Sequence, residues 1–261
     1  AKARMLWICM EYCDGGSVSD VLRSTRTPLM EDEIAAVCMA LVSGLQYLHE
    51  TRQILHRDVK AGNVLLSTAD GGGIKLCDLG VSASVASHTK RSTVIGTPLW
   101  MSPELIESGA YGASTDVWSL GITALEMAEL NPPHYEVSPT IRALFLITSQ
   151  PPPRLKEAAE RWSAEFDDFV ACCLVKDPEA RASAATLRAH AFVQKGARLG
   201  TEPLPRMLER KRAAAAAAAS GSRAADGGGG ANHNATLDMM QTCDSTLDGT
   251  LSMEKTMLSL S

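Results

Sequence analysis

Through the first 195 residues, apolar runs alternate with turn signals, and their spacing switches between strand and helix periods. MLWICMEYC, residues 5–13, is a short apolar-aromatic run ending at DGGS, as a strand entering a turn does. EDEIAAVCMALVSGLQYLHE places Ile34, Val37, Cys38, Leu41, Val42, Leu45 and Leu48 on one helical face. Its acidic first turn suits the helix dipole, although Met30 is a poor N-cap. NVLLS and IKLCDL predict two short strands joined by TADGGG. Neither Lys-Ser/Thr nor a helix follows those glycines, so they read as a plain turn and not as a phosphate loop. TDVWSLGITALEMAEL opens with Asp116 as candidate N-cap and is apolar almost all round, which predicts a helix buried on every side. Residues 139–149, 163–175 and 181–193 predict three more helices. Few strands followed by many helices, with no βαβ repetition, give a mainly α (α+β) fold: a helical body carrying a small sheet at one edge.

Composition divides the chain near residue 196. Beyond it come PRMLERKR, a run of alanines and GGGG. Lacking an apolar stripe, the alanine run has nothing to bury, so 197–235 is expected to be a disordered linker and 236–261 a Thr-rich disordered tail. The 261 residues suffice for one large domain with appendages or for two small domains. With 45% hydrophobic and 21% charged residues, the chain can build an ordinary globular core. A net charge of −5 gives no reason to expect a nucleic-acid footprint or a basic membrane-binding surface. No apolar stretch approaches the roughly 18 residues of a membrane span, and no signal peptide opens the sequence. The seven cysteines form no CxxC pair and are odd in number, which favours reduced core thiols and a cytoplasmic location.

Candidate chemistry lies in one ordered set: His56-Arg57-Asp58, Lys60, Asn63, Asp78-Leu79-Gly80, Ser102-Pro103-Glu104, and Asp116. Taken singly, Asp58 and Asp78 are turn-capping aspartates and Asn63 a loop residue. Together they supply what phosphoryl transfer to a hydroxyl requires: a proton acceptor, a cation to offset phosphate charge, and oxygen donors for Mg²⁺. Asp58 fits the base, Lys60 the phosphate cation, and Asn63 with Asp78 the Mg²⁺ ligands.

Residues 5 to about 195 resemble the hinge and large lobe of a eukaryotic protein kinase. More narrowly they resemble the sterile-twenty-like kinases of the Hippo group, through LWICMEYCDGGSVSD, HRDVKAGNVLL, KRSTVIGTPLWMSPE, DVWSLGITALEMAE and CLVKDPEARAS. The resemblance implies a Ser/Thr protein kinase using ATP and Mg²⁺, with domains of 1–16 (last small-lobe strand and hinge) and 17–196 (large lobe). It makes Met10 the gatekeeper, the backbones of Glu11 and Cys13 the adenine hinge, and Leu65 part of the pocket floor; Met10 and Leu65 also suit ordinary core positions. Lys60 in HRDVK matches Ser/Thr kinases, and Val81 after DLG points to Thr acceptors. Thr93 matches the self-phosphorylated activation site, against a solvated-hydroxyl reading shared with Ser92, Thr89 and Ser87. Arg57 would be its counter-ion. Thr97 would position the acceptor. His56, Glu104, Asp116 and Arg181 take structural roles, Glu104 pairing with Arg181.

Leu79 and Ser102 stand where Phe and Ala are usual, both mild changes. A larger departure is at the front, where no glycine-rich loop, strand lysine or helix glutamate precedes the hinge. The smaller lobe is therefore expected to be missing, as in a kinase fragment or, alternatively, a truncated scaffold. In the tail, Thr236, Thr246, Thr250 and Thr256 each precede Leu or Met. They are similar to the Thr-Met sites that dock Mob-type adaptors in Hippo-type kinases, and equally to plain Ser/Thr-rich disorder.

Overall fold

A computed structural model describes residues 10–69, 72–79, 83–84, 97–109 and 111–225. MLWICMEYC falls largely outside these residues, as do Val81, Thr93 and the tail threonines.

Chain entry is through β1 (Gly16–Ser17) into α1 (Val18–Thr25). Ser17 caps α1 by accepting from the Asp20 amide, while the Asp20 carboxylate accepts from the Ser17 amide. Next comes α2 (Glu31–Gln46), whose start lacks a side-chain cap from Met30. Glu33 compensates by accepting from the Met30 amide at 2.9 Å. Ile34, Val37, Cys38, Leu41, Val42 and Leu45 are all fully buried, so the stripe read from the sequence is the core face. A π-helical turn, Tyr47–Arg52, extends α2.

β3 (Val64–Ser67) and β4 (Gly73–Leu76) form the antiparallel hairpin, with Val64 opposite Leu76 and Ser67 opposite Gly73. β1 pairs with the other edge of β3, giving the order β1-β3-β4. A second pair joins β2 (Ile54–Leu55) to β5 (Ala83–Ser84). These two pairings bracket residues 56–63, the loop that carries the candidate chemistry.

α3 (Pro103–Ser108) leads into α4 (Ala113–Glu129), which is buried from Thr115 through Ala128. Asp116 is not its N-cap. Gly112 takes that position in extended backbone, and Asp116 sits inside the first turn at 1% exposure, where its carboxylate serves another segment.

The remaining helices are α5 (Thr140–Ser149), α6 (Ala158–Arg161), α7 (Ala164–Cys173), α8 (Ala184–Arg188) and α9 (Ala191–Leu199). One helix over 181–193 was expected; the chain instead forms two, each with its own cap. Ser183 accepts from the Thr186 amide and His190 from the Phe192 amide, so the backbone restarts at His190. Phe166, Phe169 and Phe192 are fully buried together, with Trp162 edge-on to Phe166. α9 crosses α2 so closely that a Cβ on Gly196 would lie 2.1 Å from the Ala35 carbonyl oxygen.

Within the stretch 197–235 expected to be a linker, the described residues form a final helix, α10 (Leu204–Ala225), and 226–235 lie outside the described residues. Leu204, Met207 and Leu208 are buried, and Arg206 and Arg210 both reach the fully buried Glu33. The apolar anchor is three residues long and precedes the alanine run, too short to register as a stripe.

Candidate active site

His56, Arg57 and Asp58 leave β2 in a loop whose backbone is pinned by one buried carboxylate. Asp116 Oδ1 accepts from the Arg57 amide at 2.8 Å, and Oδ2 accepts from the His56 amide at 2.8 Å. His49, on the π-helical turn, places Nε2 2.7 Å from the same Oδ2. Satisfying both oxygens in this way lets a carboxylate remain buried. Arg57 is held at φ 73°, a conformation that β-carbon-bearing residues adopt only when neighbours over-determine it. Its guanidinium lies 4.4 Å from the Tyr111 ring centroid, and Nε has no hydrogen-bond partner among the described residues.

His56 joins this loop to the hairpin. Its Nε2 is 2.9 Å from the Cys77 carbonyl, which can only accept, so Nε2 carries the proton and Nδ1 accepts from the Asp58 amide. The Cys77 amide donates to the Asn63 carbonyl at 2.9 Å. Asp78 follows at φ 67°, exposed, as is Leu79.

Around Asp58 three side chains converge. Thr97 Oγ1 donates to Asp58 Oδ1 at 2.6 Å and accepts from Lys60 Nζ at 2.8 Å. Lys60 Nζ also lies 2.9 Å from Asp58 Oδ2. Asn63 Nδ2 donates to both the carbonyl and Oδ2 of Asp58, at 2.7 and 2.8 Å, which turns its amide oxygen away as the remaining donor to a cation. Burial pushes the Asp58 carboxyl up, but the Thr97 hydroxyl, the Lys60 ammonium and the Asn63 amide outweigh it and hold the group below its ordinary value. The site is thus an ionised carboxylate and an ammonium with a hydroxyl oxygen held between them.

Beneath the loop, Glu126 of α4 accepts from the Ala61 amide and from Trp100 Nε1, both at 3.1 Å. Burial pushes its carboxyl up to about 7 against those two donors and the nearby Lys60 charge. Glu104 meets Arg181 in a two-bond pair, Oε1 to Nη1 at 2.8 Å and Oε2 to Nη2 at 3.0 Å. Arg181 spends its other donors on the carbonyls of Val175, Ser114 and Lys176.

A protein kinase domain matches residues 1–193. The chain belongs to the protein kinase family. Over 190 residues, 72% of this chain, it is 53% identical to the serine/threonine-protein kinase hippo of Drosophila melanogaster and 52% identical to the serine/threonine-protein kinase cst-1 of Caenorhabditis elegans. The same stretch of cst-1 from Caenorhabditis briggsae is also 52% identical. These likenesses place the chain in the Hippo group of the family. The matched stretch is 28% of hippo and 37% of each cst-1, so the chain spans about a third of the length of these curated relatives.

Set against the residues singled out in the sequence, the chain brings Asp58, Lys60, Asn63 and Thr97 into direct contact, with His56 and Asp116 supporting them. Asp78 joins through the Cys77 backbone. Leu65 lies half-buried on β3, opposite Ser17 and Lys75. Met10 is 64% exposed, and Glu11 reaches Lys75 across the sheet. Sequence reasoning missed Glu126, His49 and Tyr111. Glu126 carried a signal, as the one acid between Leu120 and Met127 in an otherwise apolar helix. His49 and Tyr111 carried none, because their partners are 67 and 54 positions away in the chain.

Proposed function

We propose that this chain is the large-lobe portion of an ATP-dependent protein kinase that phosphorylates Ser and Thr hydroxyls in a Hippo-like cascade. One observation carries the reading: Thr97 Oγ1 sits between Asp58 Oδ1 and Lys60 Nζ, so the loop already holds an aliphatic hydroxyl between a base and a cation. An acceptor hydroxyl entering beside Thr97 meets the same two groups. As its oxygen bonds to the γ-phosphorus and the bond to ADP breaks, the hydroxyl proton passes to Asp58. Lys60 offsets charge on the transferred phosphoryl group. The low-lying carboxyl keeps Asp58 ionised at neutral pH, ready to accept.

The Asn63 amide oxygen and the Asp78 carboxylate form an oxygen donor set that suits Mg²⁺, which would neutralise phosphate charge when bound. Adenine would lie against Met10 and Leu65 and bond to the backbones of Glu11 and Cys13. Arg57, largely buried and with Nε unpaired among the described residues, suits a phosphate on Thr93 as counter-ion. Val81 favours Thr acceptors. The enzyme is read as cytoplasmic; among the described residues, no helix is long and apolar enough to cross a membrane. A Mob-type adaptor would dock on Thr236, Thr246, Thr250 or Thr256 once phosphorylated. Mass spectrometry after incubation with active kinase and ATP tests that docking, and finding all four unmodified removes it.

For the activity, protein from the full reading frame is incubated with radiolabelled ATP, Mg²⁺ and a mixed protein substrate, and the labelled amino acid is identified. Label on Ser and Thr is expected. Label confined to Tyr, or none in the presence of intact ATP, overturns the proposal.

A further inference from the structure

Apart from the Asp58 site, one group of side chains offers three different ligand atoms to a common point. Asp168 and Cys172 stand one turn apart on α7, and His190, at the N-cap of α9, faces them. One ligand atom of each lies within 4.8 Å of the other two, and His190 Nε2 is already 3.0 Å from Asp168 Oδ2. None of the three contributes to the chemistry at Asp58. Asp168 is exposed while Cys172 and His190 are half-buried, so a hydrated ion has an open approach.

We propose that Asp168, Cys172 and His190 form a metal site of the zinc class. Thiolate, imidazole and carboxylate together are the donor set of Zn²⁺ sites with three protein ligands and an open fourth position. Mg²⁺ and Ca²⁺ seek all-oxygen surroundings and do not match it. With metal–ligand bonds of about 2.0–2.3 Å, tetrahedral ligands sit roughly 3.3–3.8 Å apart, so side-chain rotations of about an ångström complete the site. The frame is stiff: fully buried Phe169 lies edge-on to the His190 ring at 5.6 Å and packs on Phe192 at 5.3 Å.

Binding has a defined proton balance. His190 Nδ1 now accepts from the Phe192 amide at 3.2 Å, so Nε2 holds the ring proton. Coordination through Nε2 moves that proton to Nδ1 and gives up the cap bond. The Cys172 thiol proton leaves to solvent. One long hydrogen bond and the His190–Asp168 contact are exchanged for three metal–ligand bonds that tie α7 to α9.

The test uses the 261-residue chain, stripped with chelator and titrated with Co²⁺ as a spectroscopic stand-in for Zn²⁺. Expected are one equivalent bound, a thiolate-to-cobalt charge-transfer band, and displacement by Zn²⁺. Cys172→Ser should abolish the band, and Asp168→Asn should weaken binding at least tenfold. Zn²⁺ should raise the melting temperature of the parent chain and not that of Cys172→Ser. If Cys172→Ser melts early without metal, Asp168→Asn decides, since it alters an exposed side chain. No saturable binding overturns the proposal, and so does an unchanged band in Cys172→Ser or unchanged affinity in Asp168→Asn.

Discussion

Among single residues, Glu126 and Glu104 show how one chemical group is driven in opposite directions by its surroundings. Burial raises Glu126 to about 7 from an ordinary 4.5. The folded chain therefore holds a proton that the unfolded chain loses above about pH 4.5. The stability this contributes is complete below pH 4.5 and is lost as pH rises through 7. Glu126→Gln keeps an acceptor for Ala61 and Trp100 and should flatten that decline, which urea denaturation at pH 5 and pH 8 will read. Glu104 runs the other way. Burial pushes it up, but Arg181 outweighs burial and its carboxyl lies below 4.5, so its contribution is present above pH 4.5 and lost as pH falls through the lower folded value. Arg181 is fully buried at its side chain and holds five acceptors. Arg181→Ala should lower unfolding free energy by about 3–5 kcal/mol, seen as a reduced urea midpoint or insoluble protein. A soluble variant with the parental midpoint would show the pair to be dispensable.

At the scale of elements, long periodic segments were legible and short capped ones were not. α2 and α4 announce themselves because seven or more apolar residues repeat at helical spacing. The β3–β4 hairpin is equally plain from NVLLS, IKLCDL and the glycines between them. α1 went unread although GSVSD holds a Ser17–Asp20 capping box, because eight residues give too little period. Asp116 reads as a cap in the sequence because it is the capping residue immediately before the apolar run. The helix begins three residues earlier at Ala113, and only the folded chain brings residues 56 and 57 to that carboxylate. The close crossing of α9 on α2 was hidden too, since Gly196 looks like any helix glycine. A Cβ there meets a backbone carbonyl, which cannot rotate aside. Gly196→Ala should destabilise the protein by about 1–3 kcal/mol despite its better helix propensity. A melting temperature at or above the parent's would contradict the close approach.

Over the whole molecule, α10 converts what composition describes as a spacer into part of the body. Its Arg206 and Arg210 neutralise Glu33, and Lys211 Nζ donates to the Gly15 carbonyl at 2.7 Å, just before β1. Replacing both arginines by alanine leaves Glu33 buried with neither cation. The double variant should lose about 1–3 kcal/mol, less than a fully buried pair because Arg206 is 46% exposed. Equal stability of parent and variant in chemical denaturation would mean that α10 does not depend on Glu33. The order of motifs read from the sequence names residues that the fold gathers around Asp58. What it could not contain was the arrangement in which Thr97, 39 residues from Asp58, lends its hydroxyl to the carboxylate and the Lys60 ammonium. That arrangement is tested most directly by the steady-state rate of phosphate transfer from ATP by full-reading-frame protein, parent against Asp58→Asn. Loss of the proposed base should lower kcat by about 10²–10⁴-fold, with KM for ATP and the melting temperature unchanged. A variant that folds normally and keeps the parental kcat would contradict the assignment of Asp58.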